Sequence, residues 1–195
     1  MGGESINHIL FGLIEGLKKR RELCALYKDR RMYARAVDIE PSALGGLGIR
    51  ALVLDFDGVL ANHGEPEPIP EATEWLKKCV GALGPERVFI LSNKPTGARA
   101  EFFRKSLPGV RSIAGVRKKP FPDGLLEAVR LSGVQGGEVA LVDDRLLTGG
   151  LATILAGTRF IYVSRPYIKV SRRPAHELFF MAVRLFERIF VKFLL

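Results

Sequence analysis

Leu52-Val53-Leu54-Asp55-Phe56-Asp57-Gly58-Val59-Leu60 is the stretch from which the rest of the chain is read. An apolar run of buried-strand character empties into two carboxylates one residue apart, followed by a glycine. Carboxylates are poor companions for such a run unless a cation or a substrate waits at the strand's end. A second apolar run, Val139–Val142, ends the same way in Asp143-Asp144. Two strands that each deliver a pair of acids at one end suggest a single centre.

The segments between them alternate strand and helix. Ala51–Leu54, Arg87–Leu91, Ser112–Ala114, Val139–Val142 and Arg159–Val163 read as strands. Glu71–Ala82, Ala98–Ser106, Asp123–Ser132 and Leu151–Ala156 read as helices. Alternation at these spacings predicts βαβ units, hence a three-layer α/β/α fold with a doubly wound parallel sheet. In such sheets functional residues gather at the carboxyl ends of the strands, where Asp55, Ser92 and Asp144 fall. Residues 5–35 read as helical, and 175–195 as one long helix. The division expected is an N-terminal amphipathic segment (1–35), a central domain (36–170) and a basic amphipathic C-terminal helix (171–195).

Four elements in order supply what phosphoryl transfer needs: a nucleophile, a proton donor, positive charge and a holder for a hard cation. Asp55 is the candidate nucleophile and Asp57 the candidate acid/base. Ser92 and Asn93, in the loop after the second strand, and Lys119 are candidates for binding the phosphoryl oxygens. Asp144, Asp55 and the backbone carbonyl of Asp57 could hold Mg²⁺, which prefers oxygen ligands. Asp143, Arg145 and His63 are auxiliary candidates. Arg145 reads equally as a partner for a carboxylate or for substrate phosphate, and His63 as a solvent-facing loop residue that could touch substrate. Taken singly, Ser92 is also a common helix cap, and Lys119, beside Arg117 and Lys118, also fits a solvated face.

The set DFDGV, LSN, KKP and VDD resembles the four motifs of the haloacid dehalogenase-like phosphohydrolase superfamily. Ala36–Ile39, Gly48–Asp55 and Asp144–Thr148 resemble more narrowly the YqeG-like branch of its subfamily IIIA, which includes phosphatidylglycerophosphate phosphatases. The resemblance spans about Tyr33 to Arg165. It implies an aspartyl-phosphate mechanism with Asp55 as nucleophile, Asp57 as acid/base, Ser92 and Lys119 on the phosphate, and Asp144 on Mg²⁺. Two positions depart from the pattern. Val59 stands where a hydroxyl residue is usual, and Gly149 where the branch carries a further acid, a part that Asp143 could take over.

Only 34 residues separate Asp57 from Ser92, and 26 separate Ser92 from Lys119, so neither gap can house a large cap domain. An open site suits a phosphate presented on a large surface, with partial closure from the proline-rich 61–70 loop or a neighbouring subunit. The formal net charge is +9. Eight Lys/Arg against Glu177 and Glu187 from Arg159 onward carry two-thirds of it. That gradient favours an anionic partner. On a helical wheel Glu177, Arg184, Glu187, Arg188 and Lys192 share an arc of roughly 140°, and the rest of that helix is almost wholly apolar. With Arg172-Arg173 before it, and Lys18–Arg21 after the N-terminal apolar stripe, the pattern fits a peripheral membrane contact with a phospholipid head group as substrate. Packing of both helices on the domain, or in a homo-oligomer, is the plainer alternative.

The absence of an interleaved aromatic-basic sheet speaks against nucleic acid, although a soluble, nucleotide or polynucleotide-end phosphate is the rival substrate. Two cysteines, Cys24 and Cys79, give no disulfide framework and fit small core residues in a reducing compartment. The stretch Ile9–Ile14 is too short for a signal, and no 18-residue charge-free run occurs. The location expected is cytoplasmic, at the inner face of the membrane.

Overall fold

The computed structural model describes residues 3–29, 32–171 and 174–193; Arg30, Arg31, the basic pair Arg172-Arg173, Leu194 and Leu195 lie outside the described residues. Five strands form one wholly parallel sheet in the order β3-β2-β1-β4-β5. They are β1 (Ala51–Leu54), β2 (Val88–Ile90), β3 (Arg111–Ser112), β4 (Val139–Asp143) and β5 (Arg159–Tyr162). The central strands β1, β2 and β4 are buried at every position, which is why they read as continuous apolar runs. The order reverses between β1 and its neighbours, so β1 sits at the switch point where a crevice opens above the strand ends.

Successive residues of these strands serve opposite layers. Leu52, Leu54, Val88, Ile90, Ala140 and Val142 pack against Trp75, Leu76 and Cys79 of α3 (Pro70–Leu83) and Phe103 of α4 (Gly97–Ser106). Ala51, Val53, Phe89, Leu91, Val139 and Leu141 face Leu125 and Ala128 of α5 (Asp123–Ser132) and Ala152 of α6 (Leu151–Ala156). A fully buried Leu or Phe of this kind contributes about 1.5–3 kcal/mol relative to exposure. The one indole is satisfied as it is buried: Trp75 Nε1 donates to the Ile39 carbonyl at 2.8 Å. Pro70 begins α3 at a position where its missing N–H costs nothing, and the Thr96 hydroxyl caps α4 by accepting from the Arg99 N–H at 3.3 Å.

The N-terminal stretch that reads as helical over residues 5–35 forms two helices and stops short of Tyr33: α1 (Gly3–Lys18) and α2 (Arg20–Lys28). By Tyr33 the chain has turned extended, because its N–H donates to the Tyr162 carbonyl at 3.1 Å and its carbonyl accepts from Ser164 N at 2.9 Å. A sheet edge thus overrides helical continuation. α1 packs through Phe11, Gly12 and Gly16: Phe11 stacks on Phe121 with ring centroids 4.3 Å apart. Gly12 sits against Leu147 and Pro120, and Gly16 against Leu147. The apolar stripe Ile9, Leu10, Ile14 and Leu17 faces outward.

The C-terminal helix α7 (Pro174–Phe193) is inverted in the same sense. Glu177, Arg184 and Glu187 are buried, whereas Leu178, Phe179, Met181, Leu185, Phe186 and Ile189 are exposed. Both cysteines are free and buried. Among the described residues no cap domain interrupts the sheet, and no helix is long and apolar enough to cross a membrane.

Candidate active site

The register of β1 against β4 brings the two acid pairs together. Leu54 lies opposite Val142, and the Asp55 N–H donates to the Val142 carbonyl at 3.0 Å, so Asp55 leaves the sheet beside Asp143. Lys119 Nζ bridges them, donating to Asp55 Oδ1 at 2.8 Å and Asp143 Oδ2 at 2.5 Å. Carboxylate oxygens of Asp55, Asp143 and Asp144 all lie within 4.8 Å of one another, and all three residues are buried.

Burial pushes the Asp55 carboxyl up to about 7, against the attraction of Lys119 and with the repulsion of Asp143 and Asp144. Asp144 is likewise pushed up to about 6 by burial, with Arg184 opposing and Asp143 adding. Burial alone would lower Lys119, but Asp143 and Asp55 outweigh it and keep the ammonium firmly charged. The raised carboxyls of Asp55 and Asp144, beside the buried oxygens of Asp143, form a set a hard divalent cation would relieve, so these residues fit such a metal.

Asn93 positions Lys119. Its Oδ1 accepts from the Lys119 N–H at 2.8 Å, and its Nδ2 donates to the Lys119 carbonyl at 3.1 Å. Ser92 Oγ accepts from the Lys94 N–H at 3.1 Å. Asp57 is held by Arg99, the first unanticipated residue. The guanidinium donates to Asp57 Oδ1 at 2.7 Å and Oδ2 at 2.9 Å, reaches Ser92 Oγ at 3.3 Å, and lies 3.9 Å from the centroid of the Phe56 ring. The Gly64 N–H adds a bond to Asp57 Oδ1 at 3.0 Å. Burial would raise Asp57, but Arg99 and Gly64 together hold its carboxyl below the ordinary value.

The structure closes the site with α7. Glu187 accepts from Arg145 Nε at 2.7 Å and Nη2 at 2.5 Å, and from the Leu146 N–H at 3.0 Å. Of its two readings, Arg145 thus takes the carboxylate partner. One turn earlier, Arg184 Nε donates to Asp144 Oδ2, and its Nη2 lies 3.3 Å from His63 Nε2. His63 is not the solvent-facing residue expected. Its side chain is 6% exposed, its Nδ1 is 3.1 Å from Glu177 Oε2, and its ring stacks on Phe180 at 4.6 Å. The expectation failed because it gave the 61–70 loop no helix to pack against. The resulting cleft of about 150 Å³ is lined by Asp55, Asp57, Ser92, Asn93, Lys119 and Asp144, with Phe180 and Arg184 from α7.

Two glycines make the arrangement fit. Gly58 adopts φ +88°, and a Cβ there would press on Arg184 Nη2 and Asp144 Oδ2, each 3.0 Å away. A Cβ on Gly149 would overlap the Asp143 carboxyl. Asp143 therefore fills the space into which an acid at position 149 would project. Val59 is fully buried among the core side chains and presents nothing to the cleft.

Arg99, Glu177, Arg184 and Glu187 were not singled out from the sequence as site residues. The signal for the last three was the polar arc of the C-terminal helix, which reads equally as a solvated face.

These features describe an α/β protein with a buried acidic centre suited to a divalent cation. The chain belongs to the haloacid dehalogenase-like hydrolases: the family's model matches residues 12–152. That match ends before β5 and α7, so Arg184 and Glu187 lie beyond it. No curated protein matches the chain. A crystal structure of an uncharacterized protein from Corynebacterium glutamicum ATCC 13032 Kitasato is similar at 22% identity, covering 70% of this chain and 95% of that one, with a TM-score of 0.45.

Proposed function

We propose that this hydrolase is a Mg²⁺-dependent phosphomonoesterase acting through an aspartyl-phosphate on Asp55, and that its substrate is a membrane phospholipid, phosphatidylglycerophosphate in the first instance. The observation that carries the reaction is the buried Asp55–Lys119–Asp143 bridge beside the clamped Asp57. An Asp55 oxygen attacks phosphorus in line, the ester oxygen leaves, and Asp57 gives it a proton. Asp57 then takes a proton from water, whose oxygen attacks phosphorus, releasing phosphate and restoring the Asp55 carboxylate.

The Arg99 fork sets Asp57 up as the base of the second step. For the first step it must be protonated, and the phosphate dianion arriving beside it raises its proton affinity. Lys119 and Ser92 flank the phosphoryl oxygens, with Asn93 fixing Lys119. Asp55, Asp144 and the Asp57 carbonyl would hold Mg²⁺, with Asp143 in support; when bound, the ion neutralises charge on the transferring group.

Support for a lipid-borne substrate comes from the two outward apolar helix faces. Between α1 and α7 runs a groove of about 430 Å³ lined by Ile9, Leu13, Phe179, Val183 and Phe186. It shares Asn93, Lys94 and Arg145 with the catalytic cleft. An apolar channel opening on a phosphate site suits an amphiphile whose head enters the cleft. The YqeG-like resemblance supports the same reading, in which the protein works peripherally on the cytoplasmic side of the membrane.

The test is phosphate release by the purified protein with Mg²⁺. Phosphatidylglycerophosphate in mixed micelles should exceed soluble sugar, nucleotide and polynucleotide-end phosphates by at least about tenfold in kcat/KM, a gap of about 1.4 kcal/mol. Equal or better turnover of the soluble esters would remove the lipid assignment.

A further inference from the structure

α7, beyond the stretch that the family's model matches, brings the site a further permanent cation beside Lys119, Arg99 and Arg145. Arg184 is 5% exposed and lines the same cleft as Asp55, Asp57, Ser92 and Lys119. Its Nε is committed to Asp144 and its Nη2 faces His63. Its Nη1 is buried and has no hydrogen-bond partner among the described residues. A buried guanidinium N–H left without an acceptor is costly, and native structures supply one. In a cleft with this lining, the acceptor that suits a fixed planar donor is a phosphoryl oxygen.

The geometry points to Arg184 as a substrate-phosphate-binding residue, delivered into the cleft by the C-terminal helix. It rests on the phosphomonoesterase reading and adds a binding group to it. Three features fix the helix and the space around the guanidinium before a ligand arrives. Glu187, one turn on, is pinned to Arg145 and the Leu146 N–H. Glu177, two turns back, pairs with His63. Gly58 leaves the room that the Nη2 and Asp144 contact requires. Such preorganisation is what an anion site needs, because little ordering remains to be done on binding.

The alternative role is to orient Asp144 alone. The two differ in what they do to anion affinity, so the test measures that directly. Orthophosphate binding to the full chain in Mg²⁺ is followed by calorimetry for wild type, Arg184→Lys and Arg184→Gln, with Mg²⁺ binding measured separately and thermal melts confirming the fold. Loss of a charge-assisted contact predicts phosphate binding about ten- to a hundredfold weaker in Arg184→Gln, with Arg184→Lys between it and wild type. Both variants also remove the Nε donor to Asp144, so Mg²⁺ affinity is measured for each and phosphate binding is compared at saturating Mg²⁺.

Equal phosphate affinity in wild type and Arg184→Gln would overturn the assignment. So would a loss confined to Mg²⁺, or no phosphate binding by wild type at all. If both variants melt well below wild type, Glu187→Gln is added, which loosens the helix while keeping the guanidinium. Phosphate affinity closer to wild type in Glu187→Gln than in Arg184→Gln then supports the contact, and equal losses overturn it. Catalytic turnover is not part of this measurement, so a protein that binds phosphate through Arg184 yet hydrolyses no ester would refute the hydrolase reading alone.

Discussion

Arg99 grips Asp57 with both nitrogens of its fork, at 2.7 and 2.9 Å, and its guanidinium carbon lies 3.9 Å from the centroid of the neighbouring Phe56 ring. A residue at the start of one helix thereby sets the protonation of a carboxylate 42 positions earlier in the chain. Arg99→Ala should cost about 3 kcal/mol in urea denaturation, the penalty for leaving one partner of a largely buried pair alone. It should also raise the Asp57 pKa, shifting the acidic limb of the pH–rate profile upward. An unmoved limb would mean that Asp57 is not the base.

The same pair fixes a direction for acid stability. A carboxyl held low in the folded state adds stability that is present above its unfolded value, near 4, and is lost as pH falls through the folded one. Wild type should therefore lose stability on acidification below about pH 4, and Arg99→Ala should lose less over that interval. Parallel pH–stability curves would count against the clamp.

Asp55 and Asp144 act in the opposite sense. Their folded pKa values are raised, to about 7 and about 6, so the metal-free protein binds extra protons and loses stability as pH rises from about 4 toward 7. A divalent ion that binds the ionised acids offsets this loss. The rise in melting temperature on adding Mg²⁺ should be larger at pH 8 than at pH 5; an equal or reversed rise would argue against a metal at these acids.

Gly149 and Asp143 form a size-complementary pair. Gly149→Asp alone forces two carboxyls into one space and should cost about 1–3 kcal/mol or more. Asp143→Gly in the same chain clears that space. The double variant should be more stable than the sum of the single changes by at least about 1 kcal/mol. Strict additivity would refute the overlap.

The exposed face of α7 is tested without touching the cleft. Leu178, Leu185 and Ile189 are 56%, 58% and 43% exposed. Changing all three to serine should weaken sedimentation with anionic vesicles by more than about tenfold, since each buried aliphatic side chain contributes about 1.5–3 kcal/mol. Turnover of a soluble phosphomonoester should be unchanged. An unaltered bound fraction would remove this face from the membrane case.

The sheet and the acids were legible because their signals are local. Ala51–Leu54, Asp123–Ser132 and Leu151–Ala156 occupy the spans that periodicity and turn residues indicate. Asp55 and Asp143 could be placed together because parallel strands end on the same side. The terminal helices were harder, since amphipathicity shows that two faces differ and does not say which faces the protein. In α1 the small residues Gly12 and Gly16 make the contact, and in α7 the charged arc does. Arg99 was hidden for a related reason: its partner Asp57 lies in the loop after β1, 42 positions away, and nothing near position 99 announces it.

In the proposed reaction Asp55 is the nucleophile, and the most direct measurement is a rapid-quench turnover with labelled phosphomonoester in Mg²⁺, followed by peptide mapping. Wild type should carry label as a base-labile phosphoryl group on the peptide containing Asp55. Asp55→Asn should carry none and release phosphate at least about a thousandfold more slowly, a barrier increase of about 4 kcal/mol. Undiminished phosphate release by a folded Asp55→Asn protein would contradict the account at its centre.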